Sequence, residues 1–143
     1  MNDCIFCQLD KHRKHVIYED EWIYVIHDKY PVVEGHLLVI PKKHYENITE
    51  MPDNELADLI KIVKKMELML MEKMDVKGFT IKQNWQPFVK NNHLVIHHVH
   101  FHIIPRQLND AYVRKGKLER MEISESEIKK IVERIKEWKN ENT

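Results

Sequence analysis

Histidines gathered into one short segment are the residues of this chain best suited to chemistry. The chain has 10 histidines among 143 residues, and five of them lie between His93 and His102. Imidazole titrates at a pH of about 6.5, so it can act as nucleophile, acid, base or metal ligand near neutral pH. We therefore expect the functional site in this segment.

Within the segment, His98, His100 and His102 alternate with apolar residues, which is typical of a strand. Alternate side chains on a strand share a face at a spacing of roughly 7 Å, so the three imidazoles would lie together while the intervening residues face a core. Chance alone would produce such a triplet in roughly 5% of chains with this histidine content. The triplet therefore indicates a site but leaves its role open.

A second candidate group is the pair Cys4 and Cys7. A disulfide between them would close a tiny loop and stabilise little, so the C-x-x-C spacing favours metal ligation or redox chemistry. Zinc takes four ligands and accepts mixed thiolate and imidazole sets. The pair would need two further ligands to form such a site, and a free reduced pair is the alternative.

The composition is typical of one globular domain over residues 1–143. Hydrophobic residues make up 43% and charged residues 32%, and the 23 basic side chains balance the 23 acidic ones. A neutral chain has no basic field to hold nucleic acid or an anionic membrane. No apolar run approaches the roughly 20 residues that cross a bilayer, and the N-terminus lacks a signal pattern. We expect a cytoplasmic protein.

The elements that must position these side chains are predicted to be five strands and two helices. Aromatic and β-branched runs predict strands at residues 16–19, 22–27, 36–40, 79–83 and 94–104. Pro41 should end the third strand, because it cannot donate to a ladder. Strands and helices do not alternate regularly, so the fold class is α+β with an antiparallel sheet.

The first helix is predicted to begin at Pro52-Asp53 and to end before a Gly78 cap. Ile62 and Met69 form a second apolar stripe, so that flank faces either the core of the same chain or another subunit. The main stripe comprises Leu56, Leu59, Ile60, Val63, Met66, Leu70 and Met74.

The second helix is predicted over residues 124–139. Ser124 and Glu127 have the spacing of a capping box at its start. Its apolar residues are Ile128, Ile131, Val132, Ile135 and Trp138.

Residues 98–104 resemble the His-φ-His-φ-His-φ-φ signature, φ being apolar, of the histidine triad (HIT) superfamily of nucleotide hydrolases and transferases. Residues 4–7 resemble the C-x-F-C of its bacterial members, and residues 27–28 and 35–44 resemble its nucleoside-binding segment. The resemblance spans residues 4–106. It implies an α+β fold with a five-stranded antiparallel sheet, usually paired into a homodimer with one continuous sheet.

The resemblance implies catalytic roles for the triad. His100 would attack the α-phosphorus of a nucleotide, and water would then cleave the nucleotidyl-histidine. The backbone carbonyl of His98 would orient the His100 ring. His102 would contact phosphate oxygens or the leaving group, or else be a hydrogen-bonded structural residue.

Substrate contacts are implied in two other segments. Asp28 matches the position that binds ribose hydroxyls, with a plain turn aspartate as the alternative, and His27 lies beside it. Gln83 and Asn84 are the nearest match to the amide on the ribose or phosphate side.

A structural zinc ion is also implied. Its ligands in the zinc-bearing bacterial members correspond here to Cys4, Cys7, His44 and His98. His93 and His97 are spare candidates, although His97 should face away from His98 on a strand.

The chain departs from the family immediately before the triad. The family commonly has Gly-Gln-Ser/Thr-Val, whereas residues 93–96 read H-L-V-I, so Val95 stands where a hydroxyl is expected. Backbone N–H groups, Lys90, Asn92 or His93 could replace the lost donors, or the leaving group could differ from the family norm. The preceding loop is about three residues longer and carries Trp85 and Phe88. We expect Trp85 either to contact the ligand or to pack across the dimer or under the last helix.

These features predict a nucleotide hydrolase that releases a purine nucleoside monophosphate from phosphoramidates or dinucleoside polyphosphates. The alternative is a zinc-stabilised nucleotide-binding or interaction protein with weak or no catalysis. Removal of adenylyl groups from nucleic-acid ends is disfavoured, because the neutral chain offers no surface to hold DNA.

Overall fold

The structure is a computed structural model that describes residues 3–110 and 124–142. The predicted α+β class is confirmed, with five strands in one antiparallel sheet. The strands are β1 (Val16–Glu19), β2 (Ile23–His27), β3 (Leu37–Pro41), β4 (Gly78–Lys82) and β5 (Phe101–Arg106), and the helices are α1 (Asp53–Met74) and α2 (Glu125–Asn142). Three short 3-10 helices span Ile5–Cys7, Leu9–His15 and Ile48–Glu50.

The strand order β1-β2-β3-β5-β4 places β5 inside the sheet. His102 on β5 is paired with Leu38 of β3 on one side and with Lys82 of β4 on the other. The strand that carries the last triad histidine is therefore held by neighbours on both edges.

The fifth strand is shorter than predicted, since it begins at Phe101 and not at residue 94. In the preceding segment the His98 N–H donates to the Ile96 carbonyl, and the Val99 N–H donates to the Tyr45 carbonyl at 2.7 Å. These bonds satisfy the backbone locally and through the loop after β3. The N–H groups of His98 and Val99 are therefore not paired with a neighbouring strand, and His98 and His100 lie just before β5.

Helix α1 covers one face of the sheet, which we call the helix face. Leu59, Val63, Met66 and Leu70 are buried there against Val25, Leu37, Val39, Val99 and Ile103. Ile62 and Met69 pack against the same core, so that flank is turned toward its own chain. Ile60 and Met74 of the predicted stripe are exposed instead.

The predicted Gly78 cap is wrong, because α1 ends at Met74 and Gly78 begins β4. Asp75 takes the left-handed conformation after the helix, with φ of 53°. Aspartate tolerates that region better than most residues, since its short side chain can bond locally.

The opposite face, which we call the histidine face, is covered partly by the N-terminal segment. Phe6 packs there with Tyr24, Ile26, Leu38 and Ile40 in a second buried cluster. The Tyr24 hydroxyl donates to the Phe6 carbonyl and so ties this segment to the sheet. Residues close to Cys4 and Cys7 are thereby held against the sheet.

Helix α2 begins as its capping residues predict, since the Glu127 N–H donates to Ser124 Oγ at 3.3 Å. Its side chains Ile128, Ile131, Val132 and Ile135 are exposed. The side chain of Trp138, like residues 111–123 of the predicted single domain, lies outside the described part. No helix in the described ranges combines the length and apolarity needed to cross a membrane.

Candidate active site and metal-binding group

The triad histidines gather on the histidine face of the sheet. His98 and His100 are buried and His102 is half-buried, with the His100 and His102 ring centroids 4.9 Å apart. Val99 and Ile103, which alternate with them, are buried in the core under α1. The predicted alternation therefore holds, although only His102 belongs to β5.

The His100 ring has a fixed orientation. Its Nδ1 lies 2.7 Å from the His98 carbonyl oxygen, which can only accept, so Nδ1 carries the proton and donates. In the neutral ring, Nε2 then has the free lone pair. Burial lowers the pKa of His100, which favours the neutral form of its ring. His100 is thus arranged as a nucleophile through Nε2.

His102 is oriented by His36, a residue that sequence reasoning did not single out. The Val32 N–H donates to His36 Nδ1 at 3.0 Å, so the proton of the neutral His36 ring is on Nε2. That Nε2 lies 2.9 Å from His102 Nδ1 and 3.4 Å from an Asp28 oxygen, both of which can accept. His102 Nδ1 is therefore the acceptor, and His102 Nε2 is left as a donor.

His102 is a neutral donor in this arrangement. Burial, followed by the neighbouring His100, His36 and Lys82, lowers the pKa of His102 to about 2. An N–H group on a neutral ring can donate to a phosphate oxygen or a leaving group without a full charge.

His27 and Asp28 lie where β2 enters the loop before β3. His27 Nδ1–H donates to the Asp28 carbonyl at 2.9 Å, while the Gly35 N–H donates to His27 Nε2 at 3.0 Å. Both ring nitrogens are thus engaged in holding the loop. One Asp28 carboxylate oxygen accepts from the Tyr30 N–H, as in a turn, and the other faces His36.

Gly35 is required by the close packing of this loop. It has φ of +88°, and a Cβ at this position would lie 3.1 Å from Pro105 Cγ and 3.2 Å from Met74 Cε. A side chain would be strained and crowded. Gly35 thereby lets His36 enter the site directly from the turn.

The loop between β4 and β5 contributes a small cavity beside His100. Asn84, Trp85, Val95 and His97 line it with His100. Asn84 is thus brought to the site, whereas Gln83 is absent from this lining and its amide donates to the Asn84 carbonyl. The apolar residue Val95 thus lies beside His100 in this cavity.

Of the predicted substitutes for the lost donors, Asn92 is hydrogen-bonded within the loop, and His93 packs on the loop between β2 and β3. The Asn92 amide group donates to the Lys90 carbonyl at 3.1 Å, and its side-chain oxygen accepts from the N–H groups of Leu94 and Val95. The His93 ring packs on Tyr30, with centroids 5.0 Å apart. Lys90 is exposed.

Lys82 is a residue near the triad that sequence reasoning missed. It is paired with His102 across β4 and β5. Its charge, together with the larger effect of burial, lowers the pKa values of His36, His100 and His102. In the sequence, Lys82 stands two residues before Asn84, which is a predicted substrate-binding residue. Because alternate residues of a strand share a face, this spacing could have indicated that Lys82 lies near the site.

Cys4, Cys7, His44 and His98 form a group that could hold a metal ion, with donor atoms all within 4.8 Å of one another. His98 Nδ1 lies 3.2 Å from Cys4 Sγ, 3.5 Å from Cys7 Sγ and 3.1 Å from His44 Nδ1. A tetrahedral zinc ion with usual bond lengths would separate such donors by about 3.3–3.8 Å. The group therefore fits a metal of this size.

The protonation of His98 also suits ligation. Its Nε2–H donates to the Pro41 carbonyl at 2.8 Å, which leaves the Nδ1 lone pair directed to the group. Burial is the main cause that raises the pKa of the Cys4 thiol to about 11 and lowers the pKa of His98 to about 4. A bound cation would stabilise the thiolate. His93 and His97 are outside this group.

The HIT domain profile matches residues 10–109, which is more than half of the chain. The chain belongs to the HIT domain family. The match covers β1 to β5 and the whole triad, whereas Cys4 and Cys7 precede it.

Two relatives illustrate the range of similarity of this HIT protein. An uncharacterised HIT-like protein of Methanocaldococcus jannaschii is 42% identical over 129 residues, covering 85% of this chain and 94% of the relative. An adenosine 5'-monophosphoramidase of Candida albicans is 33% identical over 109 residues, covering 73% of this chain and 70% of the relative.

Solved structures agree with the fold. A HIT family member from Bacillus subtilis superimposes with a TM-score of 0.77 at 26% identity, covering 95% of this chain and 96% of that one. A zinc-bound histidine triad protein from Mycobacterium smegmatis gives a TM-score of 0.64 at 28% identity, covering 76% and 78%.

A second group in this HIT domain, Asp28, His36 and His102, also has donor atoms within 4.8 Å. A metal ion there would need the lone pair of His36 Nε2. That nitrogen carries the proton, because His36 Nδ1 accepts from Val32. The hydrogen bonds therefore favour a chain of oriented histidines over a metal site.

Proposed function

We propose that the protein is a nucleotide hydrolase that cleaves at the α-phosphate of nucleoside phosphoramidates or dinucleoside polyphosphates through a nucleotidyl-histidine. The observation that carries this proposal is the bond from His100 Nδ1–H to the His98 carbonyl, which leaves a buried, neutral Nε2 free to attack. The Candida albicans relative, named as an adenosine 5'-monophosphoramidase, supports the reaction class.

In the first step, His100 Nε2 forms a bond to the α-phosphorus, and the bond from phosphorus to the leaving group breaks. The ring then carries a positive charge, because Nδ1 keeps its proton. The His98 carbonyl, an acceptor 2.7 Å away, stabilises that charge. Water then attacks phosphorus, the P–N bond breaks, and the nucleoside monophosphate leaves.

The other site residues bind and orient the substrate in this proposal. His102 donates from Nε2 to phosphate oxygens or to the leaving group. Asp28 accepts from the ribose hydroxyls, with His27 holding its loop. Asn84 contacts the phosphate side of the cavity, and Gln83 steadies the Asn84 backbone.

We further propose that the metal is a structural zinc ion held by Cys4, Cys7, His44 and His98. The mixed thiolate and imidazole donors suit zinc, and a four-ligand shell has no open position for water. The ion would hold the N-terminal segment against the triad.

The proposed assembly is a cytoplasmic homodimer with a continuous sheet. Two features support it. Strand β4 is last in the sheet order of the described residues, and Leu68 and Met71 on α1 are exposed apolar side chains. No membrane or nucleic-acid partner is proposed.

A second candidate is a zinc-stabilised nucleotide-binding or interaction protein with weak or no catalysis. It is favoured by Val95, whose side chain lines the cavity beside His100 where the family has a hydroxyl. A lost phosphate donor would weaken transition-state stabilisation.

Turnover separates the two candidates. The protein is incubated with adenylyl and guanylyl phosphoramidates and dinucleoside polyphosphates, and the products are identified. We expect release of a nucleoside monophosphate, and rapid denaturation during turnover should trap the nucleotide on His100 in an acid-sensitive bond. Nucleotide binding without products would support the second candidate.

A further inference from the structure

Lys82, the last residue of β4, lies beside the triad. It is directly paired with His102, and directly paired side chains of antiparallel strands project from the same face with Cβ atoms about 5 Å apart. The preceding Ile81 is paired with Ile103, which belongs to the core under α1. Strand alternation therefore directs Lys82 to the histidine face.

The charge of Lys82 reaches two neighbouring rings. It lowers the pKa values of His36 and His102, although burial is the main cause for both. The paired position on β4 therefore brings a cation to the part of the histidine face that holds these two rings.

The two proposed substrate classes need different help with the leaving group. An amine leaves phosphorus as a neutral molecule after accepting a proton, so it depends on a proton donor and gains less than an anionic leaving group from a fixed positive charge. A polyphosphate leaves as an anion, and its developing charge is stabilised by a cation or several N–H donors. The uncharged Val95 side chain supplies neither, whereas a lysine ammonium supplies a full charge and three donors.

We propose that Lys82 is a substrate-binding residue whose ammonium group contacts the phosphate oxygens of the leaving group, so that the site prefers dinucleoside polyphosphates to amine-bearing phosphoramidates. This inference rests on the proposed function. When His100 Nε2 bonds to the α-phosphorus, the electron pair of the broken P–O bond stays on the leaving phosphate, where Lys82 stabilises it. Water later supplies the hydroxyl of the released monophosphate.

The test compares Lys82→Met, Lys82→Arg and the control Lys61→Met, which alters an exposed lysine on α1 across the sheet. Values of kcat/KM are measured for diadenosine tetraphosphate and for an adenosine phosphoramidate with a neutral amine leaving group. The melting temperature of each variant is measured to verify folding.

We expect wild type to prefer the tetraphosphate. Lys82→Met should lower its kcat/KM by about tenfold to a hundredfold, the range for losing one charged hydrogen bond. The phosphoramidate should change less than about threefold, Lys82→Arg should keep most of the activity, and Lys61→Met should resemble wild type. Equal losses on both substrates, or no loss on either, would overturn the assignment.

Failure of the proposed function would look different, because wild type would then hydrolyse neither substrate. In that case binding decides the role of Lys82. If Lys82→Met weakens the binding of ATP more than it weakens the binding of AMP, each compared with wild type, the result would support a cation beyond the α-phosphate. Unchanged affinities for both nucleotides would overturn it.

Discussion

The two faces of the sheet are specified by different physical rules. On the helix face, fully buried side chains such as Leu59, Val39 and Ile103 exclude water, and their contribution grows with the apolar area removed from it. On the histidine face, His36, His98 and His100 are just as buried, but each ring is fixed by a particular donor or acceptor. Changes on the first face should cost stability, and changes to the triad on the second face should cost chemistry.

The largest expected effect is on the histidine face. His100→Ala should lower kcat by at least several orders of magnitude, because positioning alone cannot replace a nucleophile. Steady-state rates and trapping of the labelled nucleotide by rapid denaturation without acid would measure the loss. Unaltered turnover in the variant would favour direct attack by water.

On the helix face, Leu59→Ala should lower the free energy of unfolding by about 2–5 kcal/mol, because it removes a fully buried side chain and leaves a cavity. The adjacent Ile60→Ala is a matched control, since Ile60 is 44% exposed, and should cost much less. Denaturant unfolding measures both. A kcat change in folded Leu59→Ala comparable with that of His100→Ala would break the distinction between the faces.

Metal content tests how the N-terminal segment is held on the histidine face. Untagged protein should contain one zinc ion per chain by elemental analysis. Cys4→Ser should lower the melting temperature more than Asp3→Asn, a change at an exposed neighbour, while leaving measurable chemistry at His100. Zinc content that stays near zero after zinc is supplied would exclude the site.

The smallest of these effects concerns the loop at the edge of the histidine face. Trp85 is half-exposed beside His100, so Trp85→Ala should weaken nucleotide binding or turnover by about tenfold if its ring stacks on the base. Trp22→Ala is the control, because Trp22 is exposed in the turn between β1 and β2. Loss of melting temperature or dimerisation with normal nucleotide affinity would assign Trp85 to packing instead.

Local patterns predicted much of the fold. Strand β1 has the predicted bounds, and the start of α1 at Asp53 follows from the Pro52-Asp53 signal. The early start of the fifth strand was wrong, because the Val99 N–H bonds to Tyr45, a partner 54 residues away that no local pattern reveals. The helix end was also misplaced, since Asp75 takes the left-handed role expected of glycine.

Residues of the candidate site could be predicted where their type and spacing in the sequence were enough to identify them. They could not be predicted where their role depends on how separate segments are placed in the fold. The metal group was predicted in full from the resemblance, and the structure brings all four residues together. His36 was missed because its function depends on which of its nitrogens the Val32 N–H reaches. Lys82 was missed because its importance depends on the register between β4 and β5.

His98 contributes to the site through two chemically separate parts. Its ring belongs to the metal group, while its carbonyl holds the His100 ring. A carbonyl is present in every amino acid, so the acceptor survives any substitution at this position, whereas the metal group can lose a ligand through a single codon change. A substitution at this position can therefore remove one donor of the candidate metal group and still leave the His100 ring oriented.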